Sequence, residues 1–402
     1  MGILILRSSA VAQSSAPAWF EAATEKVWGE ATSNTIRDVL PDPLPTNGEA
    51  EIATGWTGAW FDAVNREYGC TGNGGHDGYG GNETYSVLVG SETPAWRRLS
   101  DPSSTSGGDA TRNGPGTYGD GKMRASHNSH STVFAKGRVW IPGMWGMTGS
   151  GTNGTTAVWS WDRSSLGTGP FPVSAAESPY AHHGFGWETV PGGDYSFEGG
   201  AAWYDPIAET VYRIVQFCNE KGGWSVDIAD PENPIITGID WAFGGNPFGD
   251  ACGAPIIEDA THRWMVMLSE FEERLWILDL NDIADDWVQQ TTTGTGKWTG
   301  GNGCVYHPPS RKLLVYDYNE GATIHALTVP TNPKTADDTE WVWSTVSNGT
   351  GGITPADPAS NPNGVYGKFQ LCPDMGNGQG CLFMFNSIDN PLYYYKLPVG
   401  AV

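Results

Sequence analysis

Four segments of this chain repeat one plan. AWFDAVNREYGC (59–70), AAWYDPIAETVYRIVQF (201–217), PIIEDATHRWMVML (255–268) and VYHPPSRKLLVYDY (305–318) share it. Each has a few apolar residues, a polar residue, about four turn positions, then a second apolar run. Asp62, Asp205, Glu258 and His307 fill the same polar slot. Short apolar runs bounded by Gly, Pro, Asn and Asp are strands, and a tight polar turn makes each pair an antiparallel hairpin. KFQLCPDMGNGQGCLFMF (368–385) repeats the spacing, and STVFAKGRVWIPG (131–143) repeats it with a shorter turn. Helical periodicity is confined to AWFEAATEKVW (18–28).

A third strand follows each hairpin: ETYSVLV, TAVWSWD, WSVDIAD, LWILDL, TIHALTV and PLYYYKL. A fourth opens at Trp96, Trp241, Trp287 and Trp343, with Phe171 standing in for tryptophan in the second unit. Four antiparallel strands recurring every 40–50 residues or so are the mark of a β-propeller. Six third strands are followed by only five fourth strands. The sixth comes from the other end of the chain, EKVWGEATSN (25–34), whose Trp28 matches the rest. Pairing it with the last blade closes the ring and removes an open sheet edge. The expected fold is all-β, a single propeller of six four-stranded blades closed by an N-terminal strand. The blades fall at approximately 54–102, 130–173, 198–244, 253–296, 300–350 and 364–398. Residues 24–34 supply the closing strand, and 1–23 are an N-terminal extension or a docking segment. Five and seven blades are the alternative counts, because 100–130 and 174–198 are long enough to hold a further strand.

Composition narrows the partners. Against 22 basic side chains stand 45 acidic ones, a net charge of −23. A field of that sign repels nucleic acid and anionic membrane, and leaves neutral glycans, cations or a basic protein surface. No apolar run approaches the roughly 18 residues that span a bilayer. The start MGILILRSSAVAQS has a small-residue site, but ILIL is shorter than the roughly 7 residues of a signal core and no basic residue precedes it. An acidic, Trp-rich chain of this kind suits a protein made in a host cytoplasm and released by lysis or assembled into a particle. The six cysteines form no CxxC pair, which argues against a zinc ribbon. Cys372 and Cys381 flank a turn, either as a cross-hairpin disulfide or as two reduced thiols.

Several motifs carry a resemblance. MRASHNSHSTVFAKGRVWIPG (123–143) resembles the kelch pattern of Arg, small residue, His, strand, turn, strand and Gly. GGHDGYGGNETY (74–85) and WRRLSDPS (96–103) resemble divergent kelch/galactose-oxidase-type propellers of phage structural proteins and bacterial reading frames. The double glycine of that pattern is missing or displaced in blades three to six. Galactose oxidase likeness would imply copper and a cysteine–tyrosine crosslink, and that ligand set finds no residue-by-residue match here. The sialidase SxDxGxxW box and the GxSxG elbow are absent from the sequence.

In a four-stranded blade, loops between strands two and three share a face with the connections between blades. The long segments 71–83, 100–130, 143–156 and 174–199 all belong to that class. Long loops on a rigid scaffold carry binding. The candidate ligand-binding residues are therefore His76, Asp77, Tyr79, His127, Trp145, His182, His183, Trp187 and Tyr195. Aromatic faces stacking on sugar rings, beside side chains that bond hydroxyls, would suit a glycan. Adjacent histidines point apart on a strand, which argues against His182 and His183 sharing a metal ion. No cofactor is required, although YGDGK and GHDGYGGN leave room for Ca2+. The expected function is a non-catalytic, virion-associated structural or adhesion propeller, binding other virion proteins or a host-surface glycan. A glycan-active enzyme on the same face is the alternative.

Overall fold

The computed structural model describes residues 15–74, 79–105, 117–127, 132–148, 151–186, 201–217, 220–239, 252–268, 275–283, 287–294, 301–317, 320–346, 349–355 and 364–400. These residues form six antiparallel sheets in sequence order around one axis. Their inner strands are Trp60–Asp62, Val133–Ala135, Ala202–Asp205, Cys252–Ile257, Gly303–His307 and Gln370–Cys372. Each touches the inner strand of the blade before and the blade after, and Gln370–Cys372 returns to Trp60–Asp62. The expected six-bladed propeller is therefore the fold.

The core is not central but divided among the gaps between blades. Six buried apolar clusters each join two consecutive blades. The strand period of two makes this possible. In Arg263–Leu268, the side chains of Trp264, Val266 and Leu268 pack toward the fifth blade, while Met265 and Met267 pack toward the third. Both faces of a middle strand are buried, so such strands read as continuous apolar runs. Tryptophan fills much of the wedge-shaped space: Trp60, Trp140, Trp159, Trp161, Trp203 and Trp224 are among the fully buried side chains. At Gly69 a Cβ would stand 2.3 Å from the Trp60 indole, so only glycine lets that ring lie across the second strand.

The shared polar slot is turn chemistry. Asp62 Oδ1 accepts from the backbone N–H groups of Val64 and Asn65. Asp205 Oδ1 does the same for Ile207 and Ala208. Arg66, Lys136, Glu209 and Arg311 close the corresponding turns in the left-handed region, with φ of 50–51°. The slot also links neighbours. Arg263 Nη1 donates to Asp205 Oδ2 at 2.6 Å, and Arg311 donates to Glu258 at 2.5 Å.

Trp28–Glu30 pairs antiparallel with Tyr393–Lys396, register Trp28 to Tyr395, and supplies the outer strand of the sixth blade. The helix Ala18–Ala22 precedes it and bridges the seam. The Lys396 ammonium donates to the carbonyls of Phe20, Glu21 and Ala23 at 2.9, 3.2 and 3.1 Å. It also lies 4.8 Å from the centre of the Phe20 ring. On the other side, Trp19 Nε1 donates to Ser91 O and Ala18 N to Glu92, both in the first blade. Residues 15–23 thus pack on the propeller itself, whereas 1–14 of the expected docking extension lie outside the described residues.

Two outer strands differ from expectation. In the second blade the outer strand is Tyr180–Phe185, inside a segment read as loop. Phe171 opens no strand, and instead lies under the Arg97 and Arg163 guanidinium groups at 5.0 and 5.7 Å. In the third blade the outer strand is Ile235–Ile239, ahead of Trp241. Cys372 and Cys381 stand opposite each other in register as free, buried thiols.

Replacing Lys396 with Met removes the donor from three carbonyls at the seam. Urea unfolding is expected to show a loss of about 2–4 kcal/mol, with faster proteolysis before Trp28. An unchanged unfolding midpoint would show that the lysine does not hold the closure.

Candidate functional site

The second-to-third-strand loop of the first blade is held from within. Tyr79, Glu83 and Tyr85 are buried, and both tyrosine hydroxyls donate to Glu83 Oε1, Tyr85 at 2.6 Å. Asn82 Nδ2 donates to Ser103 Oγ at 3.0 Å and Met123 O at 2.7 Å, and its Oδ1 accepts from Ser103 N. Tyr180 of the second blade donates to Asn82 O at 2.7 Å, and Tyr118 donates to Gly80 O. Burial raises the Glu83 carboxyl above its ordinary range, and burial pushes Tyr118 up to about 12. The tyrosines here are struts rather than ligand-facing groups.

The other candidate residues divide among different places. His76, Asp77, Trp187 and Tyr195 lie outside the described residues. His127 and Trp145 are opposite each other in the second blade, in the strands Ser126–His127 and Arg138–Thr148. His182 and His183 occupy the outer strand of that blade and do point apart. His182 is exposed, 5.1 Å from both the Trp159 and the Phe185 ring. His183 Nε2 is 2.8 Å from Ser160 Oγ, and its ring lies 5.1 Å from Trp140. Burial, then the nearby Arg138 charge, lowers His183 to about 4, so it is neutral at pH 7. Tyr79, His182 and His183 do not converge on one pocket.

Two cavities lie elsewhere. The central channel encloses about 470 Å³, lined by Phe61, Val133, Phe134, Tyr204, Pro255 and Leu371 among others. Its lining reaches Pro206, Pro308 and Pro373, which start the first-to-second-strand turns. A cleft of about 480 Å³ lies beside it between blades one and two, lined by Asn65, Arg97, Phe134, Arg163, Ser164 and Thr168 among others. Both belong to the tight-turn side rather than the long-loop side, and Phe134 is the wall they share. Arg97 Nη2 and Arg163 Nε donate to the buried Glu67 carboxylate at 2.9 and 2.8 Å. Glu67 and Asp62, which also lines the cleft, together offset these two positive charges, so the cleft is polar without being a strong anion trap. Sequence reasoning missed Phe134, because its role depends on two loops from different blades meeting beside it.

A third constellation was also missed. Asp317, Glu320 and His325 bring two carboxylate oxygens and one ring nitrogen within 4.8 Å of one another. The D-x-x-E-x4-H spacing in DYNEGATIH is the sequence signal that could have found it.

Glu83 gives a pH test. A carboxyl raised on folding contributes stability that is complete below its unfolded value, near 4.5, and is lost as pH rises through the folded value. Glu83→Gln keeps the shape without the charge. Its urea midpoint is expected to gain on the wild type as pH rises above 4.5. A difference constant with pH would count against a strained carboxylate.

No family model and no curated protein matches the sequence. Solved structures do match. A Penicillium chrysogenum alpha-L-arabinanase complexed with arabinobiose is similar over 94% of this chain and 99% of that one, at 10% identity and a TM-score of 0.45. YjhT is similar over 87% and 99%, at 11% identity and 0.43. The Cps50 (Swd1) β-propeller domain of Myceliophteria thermophila is similar over 90% and 88%, at 11% identity and 0.38. At these identities the likeness concerns the fold alone, and the kelch and phage resemblance stays with the motifs that carry it.

Proposed function

We propose that this chain is a non-catalytic binding propeller of a virion or extracellular particle, and that it takes a neutral surface glycan in the cleft between blades one and two. The observation that carries this reading is the cleft's lining. The half-buried Phe134 ring is stacked on Trp60 at 5.4 Å and lines the cleft with its remaining surface, and Asn65, Ser164 and Thr168 are exposed polar residues around it. Sugars are held by that combination of ring face and hydroxyl partners. Among the described residues the adjoining channel has no carboxylate or imidazole in its lining, and the cleft has one carboxylate, Asp62, which is engaged by the turn it caps. A glycosidase needs two carboxyl groups roughly 5–10 Å apart across its cleft, so this lining favours binding over hydrolysis. The net charge of −23 favours a neutral glycan over an anionic one. Placement on a particle rests on the motif resemblance, and the same propeller would bind its neighbouring structural proteins there.

Glycan-array binding by the purified chain tests the site. Phe134→Ala is expected to weaken binding by about tenfold, the scale of one lost aromatic contact of about 1.4 kcal/mol. Thr168→Ala is expected to weaken it while leaving thermal stability unchanged. Binding that survives both changes but is lost on Trp145→Ala would move the site to the long-loop face. Release of sugar from a polysaccharide by the chain would overturn the non-catalytic reading.

A further inference from the structure

On the fifth blade, on the side opposite the cleft, lies the Asp317–Glu320–His325 cluster. Asp317 directly follows the second strand, Lys312–Tyr316, and His325 is the second residue of the third, Ile324–Thr328. The connection between these strands therefore carries a carboxylate at its start, a second carboxylate within it, and an imidazole just past its end. Asp317 is 1% exposed and His325 5%, while the Glu320 side chain retains 27%. His325 Nε2 is 2.9 Å from Glu320 Oε2. Its Nδ1 is buried and makes no hydrogen bond, a costly arrangement for a nitrogen taken out of water. The ring meets Trp343 of the outer strand edge-on at 6.4 Å, which fixes its plane.

We propose that Asp317, Glu320 and His325 bind a divalent cation of the Zn2+ class. Two carboxylates brought together with little access to water repel each other, and a cation between them removes that repulsion. Ligands about 2.0–2.2 Å from a zinc ion stand roughly 3–4 Å apart, within small side-chain movements of the observed cluster. A mixed imidazole and carboxylate set suits zinc, whereas calcium takes oxygen ligands only. The half-open side at Glu320 is the entry path and leaves space for a water as fourth ligand. A bound ion would tie the second and third strands of the blade together at their loop end.

The test uses the full chain, freed of metal by a chelator and titrated calorimetrically with Zn2+, with Ca2+ as comparator. One equivalent of Zn2+ is expected to bind, and the melting temperature is expected to rise with Zn2+ concentration. Glu320→Gln, at the partly exposed ligand, should leave the unliganded fold intact and weaken Zn2+ binding by about tenfold or more, as loss of even a supporting group does. His325→Gln should do the same. Absence of saturable Zn2+ uptake, uptake undiminished in both variants, or a preference for Ca2+ would each overturn the assignment. In the first of these cases the cluster is simply a His325–Glu320 hydrogen bond.

Discussion

Everything in this molecule depends on a ring that must close. Each blade buries its two faces against its neighbours, so a blade without a neighbour on one side exposes a full cluster of apolar side chains. The seam between the sixth and first blades is where that exposure would begin, and it is fastened at several points. Strand pairing at Trp28–Glu30 supplies the backbone bonds. The Trp28 indole reaches Ala322 O in the fifth blade and packs edge-on against Tyr316. The helix Ala18–Ala22 then spans the seam, tied by Lys396 on one side and by contacts to Ser91 and Glu92 on the other. The buried Lys368 works at the same junction, donating to Ala53 O and Gly364 O.

Charge is used sparingly and for position. Among the described residues, several cations sit between blades: Arg163 on Glu67, Arg263 on Asp205, Arg311 on Glu258. The first two acids are fully buried, so these pairs mark where adjacent blades must sit rather than adding much net stability. The tight-turn face therefore has a regular rim of paired charges and prolines. The opposite face is built from longer loops, bound into the scaffold through Asn82, Tyr118 and Tyr180 in the portion described.

What was legible in the sequence follows from what repeats. The polar slot at Asp62 and Asp205 recurs because the same turn recurs, so the hairpins, the blade count and the closing strand at Trp28 could all be read. The outer strand Tyr180–Phe185 could not. YAHHGF has no apolar alternation, because an outermost strand buries little, and its pairing is fixed by the neighbouring strand Gly151–Asp162 rather than by its own residues. Phe171 looked like a strand opener, but its ring serves two arginines. The site was less legible still. Tyr79 reads as an exposed aromatic in a glycine-rich loop, yet the carboxylate four residues later draws it inward. Asp317, Glu320 and His325 resemble ordinary turn and strand residues until the hairpin brings them together.

The closing strand also sets an order of events. Trp28–Glu30 leaves the ribosome long before its partner Tyr393–Lys396. The lysine that grips the helix is 376 residues away from Phe20. During synthesis, five blades can stack on one another while the early strand waits unpaired, a sticky edge with no template. Bringing such distant ends together is the slow, entropically costly step of a high-contact-order fold. For as long as it lasts, another chain's terminal blade is an equally good partner. Crowding of nascent chains should therefore favour exchange of this strand between molecules, and the helix that spans the seam would be carried across with it.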